Sequence, residues 1–407
     1  MIARDRSVRE RHARERHARR RQRRAGFTLL ELMVALAIGT VVVATMYTLS
    51  GASSRTFQAQ QRISQLQLQT RLAMERLRRD IVMTGFGGTQ SSAGERTCAG
   101  PGILTPLFGV QLVDHDATAT TAIGTMPGGA LASTHGDLLT LLGNFSTSDT
   151  YMIGNTGAAN GGAVILESTR QAFRRSFAAD PLGATVDTAL FSQVFQPGVV
   201  LHVTHPNGFH YFTQVTGSAV DSAGRTPTIQ IAPPLPQGTA CSFSLCIGCR
   251  VAPLTMIQYG IDTAQNIAPA LVPNDPAVTG TNTVLYRRML NPLTGAPMPN
   301  VPPTVVLEFA VDFEVNAIVD TAVQGNPPLL SAPLPTIPLP GRVRALQVQL
   351  AARTADTDPS FPWPYAGART AAQPLSSFEV FTDRPGSARV RTSVAEFVLE
   401  NLVARGM

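Results

Sequence analysis

Over 407 residues, 33 basic side chains against 27 acidic ones give a formal charge of +6, but the excess sits at one end. Eleven Arg and only three acids fall in residues 1–26, so residues 27–407 carry a net −2 and the basic isoelectric point implies no nucleic-acid partner. All 33 basic residues are Arg, which genome composition explains more simply than any use of guanidinium chemistry.

The first element is the basic segment 1–26, MIARDRSVRERHARERHARRRQRRAG, with a net charge of +8. It meets an apolar run from Phe27 to Leu49, 23 residues. As a helix this run measures about 34 Å, enough to cross a hydrocarbon core of about 30 Å. Within it lies one charged residue, Glu31. A carboxylate near the centre of a spanning helix costs roughly 2.5–3.5 kcal/mol on insertion scales, so something must compensate it. By the positive-inside rule the basic end stays in the cytoplasm and everything after Leu49 is exported. That makes a single pass of the membrane with an exported head. Two plainer readings fit less well: a secretory signal cut near Ser50-Gly51-Ala52, which a charge early in the apolar run opposes, and an uncleaved anchor in which Glu31 snorkels or pairs within the bilayer.

Residues 50–84 continue the helix outward. No proline interrupts Ala52 to Met83, and Ile63, Leu66, Thr70, Ala73, Leu77 and Ile81 recur every three or four residues as one apolar stripe. Gly85, Gly87 and Gly88 supply the stop. From Phe27 to Met83 the helix would measure roughly 85 Å.

Residues 85–407 change texture to Gly, Pro, Ser and Thr with short β-prone runs. Strands are expected at Ile103–Val113, Asp137–Leu142, Val199–His205, Phe209–Thr216, Thr228–Ile231, Thr255–Ile261, Thr283–Met289, Val305–Val315, Val343–Ala352 and Phe378–Phe381. Between Glu308 and Val315, Phe309, Val311, Phe313 and Val315 alternate with Glu308, Asp312 and Glu314, as in an antiparallel strand with one wet face. The Pro-rich stretches 291–303 and 326–340 read as loops. The fold class is therefore α+β, a long N-terminal helix whose outer half packs on an antiparallel head. No linker divides the head.

Four cysteines, Cys98, Cys241, Cys246 and Cys249, suit disulfides in an exported protein, with three pairings open. The spacing of the last three also looks like a metal site, but its fourth ligand would be the distant Cys98, and no metal is expected. In His202–His210, Asn207-Gly208 signals a two-residue hairpin turn. That register sets His205 opposite His210 and His202 on the other face, too few converging imidazoles for a catalytic zinc. Asp356, Asp358 and the face around Asp312 offer oxygen ligands without a calcium-loop pattern, and read as polar loop and solvated strand. No nucleophile elbow, phosphate loop or zinc-protease motif occurs. The chain is expected to need no catalytic residue and no cofactor, and to act as a structural subunit rather than an enzyme.

The junction Gly26-Phe27-Thr28-Leu29-Leu30-Glu31, with its basic leader and apolar run, resembles the signal of type IV prepilins. The resemblance implies that a prepilin peptidase cuts between Gly26 and Phe27 and methylates Phe27. It also implies that Glu31, the fifth mature residue, pairs with a neighbouring subunit's freed α-amine, cationic below a reference pKa of about 7.7–8.0. Leu72–Gly88 resembles the helix end of PilW-type minor pilins, with Val82 and Thr84 where Arg and Ala are usual. Ile257–Asp262, Leu285–Arg288 and Val398–Leu402 resemble β segments of that group, with Glu400 where Arg is common. For a chain of 381 residues from Phe27, these imply a pilin-like minor subunit that helps to prime pilus assembly and sits at the tip. Its partners would be the peptidase, other minor pilins, the major pilin, a tip adhesin and the inner membrane. A J- or K-type pseudopilin of type II secretion, or a membrane-tethered periplasmic binding protein, are the competing readings.

Overall fold

The computed structural model describes residues 28–86, 96–97, 109–113, 136–156, 161–180, 185–236, 246–271, 282–299, 301–319, 329–330, 343–358, 361, 376–378, 380 and 386–403. The chain divides into two compact units, residues 1–62 and 63–407. Helix α1 (Leu29–Met83) contributes residues to both.

Among the described residues of the first unit none is buried, although most of those before Ser50 are apolar. In the second unit the stripe expected from the periodicity does turn inward. Leu66, Thr70, Ala73, Met74, Leu77 and Ile81 are buried, and Leu77 and Ile81 completely. Each of those two contributes about 1.5–3 kcal/mol by leaving water. Asp80 is buried on the same stripe.

The head holds two sheets rather than the single one expected. The larger contains β1 (Arg96–Thr97), β2 (Val110–Val113), β3 (Leu138–Gly143), β4 (Tyr151–Thr156), β5 (Ala163–Leu166), β6 (Val200–Thr204), β7 (Phe209–Val220), β8 (Pro227–Ala232), β9 (Arg250–Thr263), β10 (Thr283–Leu290) and β11 (Thr304–Glu308). Its long central strand β9 pairs with β3, β4, β6 and β10. The smaller sheet has the order β13 (Leu329–Leu330), β12 (Ala310–Val319), β14 (Val343–Arg353), β16 (Ala388–Val398), β15 (Ser377–Phe378). Among the described residues every pairing of strands is antiparallel except the short one between β1 and β7, and a single parallel bridge joins Gly136 to Phe313. The buried stripe of α1 shares one core with both sheets, which includes Leu139, Tyr259 and Leu285 of the larger and Phe313, Val348 and Phe397 of the smaller. A second core lies under α2 (Gln171–Phe177) and α3 (Thr188–Val194), where Phe173, Phe177 and Phe195 pack around Tyr151 and Phe191 packs on all three phenylalanines.

The run expected as one strand from Val305 to Val315 breaks at Phe309, the one described non-glycine residue with positive φ, at 56°. This kink sends β11 into the larger sheet and β12 into the smaller. Arg353 holds it: its backbone N–H donates to the Phe309 carbonyl at 2.9 Å and its guanidinium sits 4.9 Å from the Phe309 ring centre. Burial lowers the Arg353 pKa to about 10, which leaves it cationic at neutral pH. A register shift between Ala310 and Asp312 then upsets the alternation, so Ala310 and Phe313 enter the main core while Val311 faces a smaller cluster with Phe378. Asp312 is consequently 5% exposed, not solvated, and accepts from Gln349 Nε2 at 3.1 Å.

Candidate assembly site at the helix start and its seat in the head

Gly26 and Phe27 lie outside the described residues. Glu31 does not, and it closes a capping box on its own helix. Thr28 N–H donates to Glu31 Oε2 at 2.9 Å, the Thr28 hydroxyl to the same oxygen at 3.1 Å, and Glu31 N–H returns a bond to Thr28 Oγ1 at 3.2 Å. Two donors that a helix start leaves unpaired are thereby satisfied inside one subunit. The signal for this box stands in the sequence, since Thr-x-x-Glu before an apolar run is its signature.

Beyond Glu31 the helix surface is apolar and uncovered. Met33, Leu36, Val43 and Leu49 are each 60% exposed or more. The hydroxyls of Thr40, Thr45 and Thr48 bond back to the carbonyls of Ala37, Val42 and Thr45 at 2.8–2.9 Å, so these polar groups need no water. Among the described residues this is the one helix long and apolar enough to cross a membrane, with a mean hydropathy of 2.2 in its most apolar window.

In the second unit, the C-terminal end of α1 is fixed by a buried ion pair. Arg287 Nε on β10 lies 2.6 Å from Asp80 Oδ2, with side-chain exposures of 13% and 8%. The Tyr259 hydroxyl on β9 donates to the same oxygen at 2.5 Å. Burial pushes the Tyr259 phenol far above its ordinary value, and the Asp80 charge adds to the shift, so Tyr259 is a donor at any working pH. Past Asp80 the chain joins the larger sheet: Gly85 N–H donates to the Leu142 carbonyl at 2.9 Å, and Thr84 bridges Gly143. Asn401 Nδ2, in the short helix α4 (Glu400–Val403), donates to the Val82 carbonyl at 2.7 Å. A Cβ on Gly143 would stand 2.7 Å from the Met83 carbonyl oxygen, so only glycine admits the helix end there. The three separated segments whose likeness was noted above, around Tyr259, Arg287 and Asn401, thus meet at one place, the end of α1. Sequence reasoning gave Asp80 no role. The available signal was an acid three residues after Leu77 on the inward stripe.

Cys246 and Cys249 form a disulfide whose turn is tied to β4 by Gly248 N–H to the Ile153 carbonyl and Ile153 N–H to the Cys249 carbonyl, both 2.9 Å. Neither sulfur is then free as a thiolate ligand. Cys98 and Cys241 lie outside the described residues. The histidine expectation needs correction. A four-residue connection, His205 to Gly208, replaces the two-residue turn, with His205 N–H bonded to the Phe209 carbonyl at 2.8 Å. Thr204 therefore pairs with His210, and His202 with Phe212. His202 Nε2 lies 2.9 Å from His210 Nδ1, and the His202 ring stacks on Phe212 and is 3% exposed, so the histidine that meets His210 is His202 rather than His205. Asp358, in the stretch considered for calcium, pairs with Arg389 at 2.9 Å.

Residues 21–47 match the model of the prokaryotic N-terminal methylation motif. No curated protein matches the chain. Among solved structures, a type IV-like pilin from Thermus thermophilus matches at 14% identity over 53% of this chain and 93% of its own, with a TM-score of 0.19. At that score the likeness carries no argument, and the fold rests on the helix and strands themselves.

Proposed function

We propose that this chain is a type IV minor pilin. A prepilin peptidase removes residues 1–26 and methylates Phe27; the apolar half of α1 anchors the subunit in the inner membrane and later enters the filament core; the head serves assembly and carries no catalysis. The observation that carries this reading is the coincidence of three features within the methylation motif: a basic leader ending at Gly26, an aromatic Phe27, and Glu31 at the fifth position after the cut. The helix seat around Asp80, with Tyr259, Arg287 and Asn401, supports a PilW-type subunit that primes assembly with other minor pilins at the tip beside an adhesin.

The test is the mass of the N-terminus after expression with a prepilin peptidase. The wild-type chain should begin at Phe27 with one added methyl group, while Gly26→Ala should keep Met1 and form no pili. A wild-type chain that still begins at Met1 in membranes carrying active peptidase would assign it instead to uncleaved tethered proteins.

A further inference from the structure

Strand β16 pairs with β14 along one side, and β15 covers only its first residues on the other, Arg389 opposite Ser377 and Ala388 opposite Phe378. Val390 N–H still reaches the Ser376 carbonyl on that outer side at 3.0 Å. On the inner side Leu399 N–H bonds to the Arg344 carbonyl at 2.9 Å. In an antiparallel ladder the N–H and C=O of one residue point the same way and successive residues alternate. Thr392, Val394, Glu396 and Val398 therefore turn their backbone groups outward, and among the described residues nothing accepts or donates to them. All four are exposed, Val394 by 56% and Val398 by 52%.

Beside this edge runs a groove of about 420 Å³ between β16 and the second-unit part of α1. Its floor is Thr70, Met74, Ala395 and Phe397, and Arg71 and Arg391 stand on its rim with no ion pair to any described residue. The one carboxylate in the lining, Glu75, is taken up by Arg78 at 3.2 Å. Proteins ordinarily cover, bend or shorten such an edge. Here an open edge of seven residues, roughly 20 Å long, adjoins an apolar floor flanked by two cations that no described residue pairs.

We propose that the outer edge of β16, Thr392 to Val398, is a strand-addition site for an extended acidic segment of a partner protein. The segment's backbone pairs with the four outward residues, its inward side chains cover Met74 and Phe397, and its carboxylates meet Arg71 and Arg391. Charge is the argument for this occupant: an added strand places alternate side chains over the groove, and only acids answer both guanidinium groups. The proposal stands apart from the anchor reading, because processing at Gly26 is read at the other end of the chain.

The experiment uses the full chain in detergent and a fluorescent peptide, acetyl-Glu-Thr-Val-Thr-Val-Thr-Glu-amide, whose two acids and two valines share one face, with a counterpart carrying Lys for Glu. The acidic peptide should bind saturably and the Lys peptide about tenfold more weakly or worse. The amides of Thr392, Val394, Glu396 and Val398 should exchange quickly in the free protein and become protected on saturation. Val394→Pro, at an edge position where proline is tolerated, should abolish binding without lowering the melting temperature. Arg71→Glu with Arg391→Glu should weaken binding about tenfold. Protection of those amides in the free protein would show the edge already covered by its own chain. Protection that follows protein concentration alone would assign the edge to a second copy. Either result, equal binding of the two peptides, no binding, or binding untouched by Val394→Pro overturns the proposal.

Discussion

Asp80→Ala should destabilise the head by about 3–5 kcal/mol, the loss expected when one member of a buried ion pair is removed and the other charge is stranded. The Arg287 guanidinium would lose its acceptor at 13% exposure, and the completely buried Tyr259 hydroxyl would lose its own. The measurement is denaturant unfolding of the full chain in detergent, followed by the near-ultraviolet circular dichroism of the head. A loss under about 1 kcal/mol, the scale of an exposed pair, would show that the contact contributes little. The triple variant Asp80→Leu, Arg287→Met, Tyr259→Phe should recover most of the loss, because apolar side chains of similar volume often replace a buried pair at little cost. Salt should weaken the wild-type contact little, since buried pairs are poorly screened. Gly143→Ala tests the same seat by sterics and should cost about 1–3 kcal/mol, the range for overpacking, because its Cβ would press on the Met83 backbone oxygen rather than on a side chain that can move.

This seat also shows what the sequence could and could not disclose. The long helix and most strands were legible because apolar spacing reports directly on which face is covered. Strand β16 was missed, and its burial explains why. Arg391, Thr392, Val394, Glu396 and Val398 are exposed, so a strand with a bare edge and a wet face lacks the apolar alternation that betrays its neighbours. The break at Phe309 was invisible because a positive φ at a bulky residue is imposed by its surroundings, here Arg353 from a strand more than forty residues away in sequence. The histidine pair turned on a one-residue change of register, which moves every side chain of a strand to the other face. Asp80 lay in plain view on the apolar stripe, but its partners Tyr259 and Arg287 are 179 and 207 residues away, and no local pattern joins them.

At the other end of the helix, Glu31→Gln and Glu31→Ala should separate two duties that one carboxylate performs. The structure gives Glu31 a local duty, closing a capping box with Thr28. A glutamine can keep that box, since its side-chain oxygen accepts the same Thr28 N–H; an alanine cannot, and should fray the first turn at a cost of about 0.3–1.5 kcal/mol. The proposed duty toward a neighbour is different in kind. Hydrogen bonds from Thr28 do not neutralise a charge that costs roughly 2.5–3.5 kcal/mol to place in lipid, whereas the cationic N-methylated amine of an adjacent subunit would. Both variants should therefore be cut at Gly26 and methylated at Phe27. Hydrogen exchange at Leu29 to Leu32 should quicken in Glu31→Ala and stay unchanged in Glu31→Gln. Assembly, read as the amount of this subunit in sheared surface pili, should fall sharply in both. If Glu31→Gln assembles like the wild type while Glu31→Ala does not, the capping box accounts for Glu31 and the pairing between subunits does not.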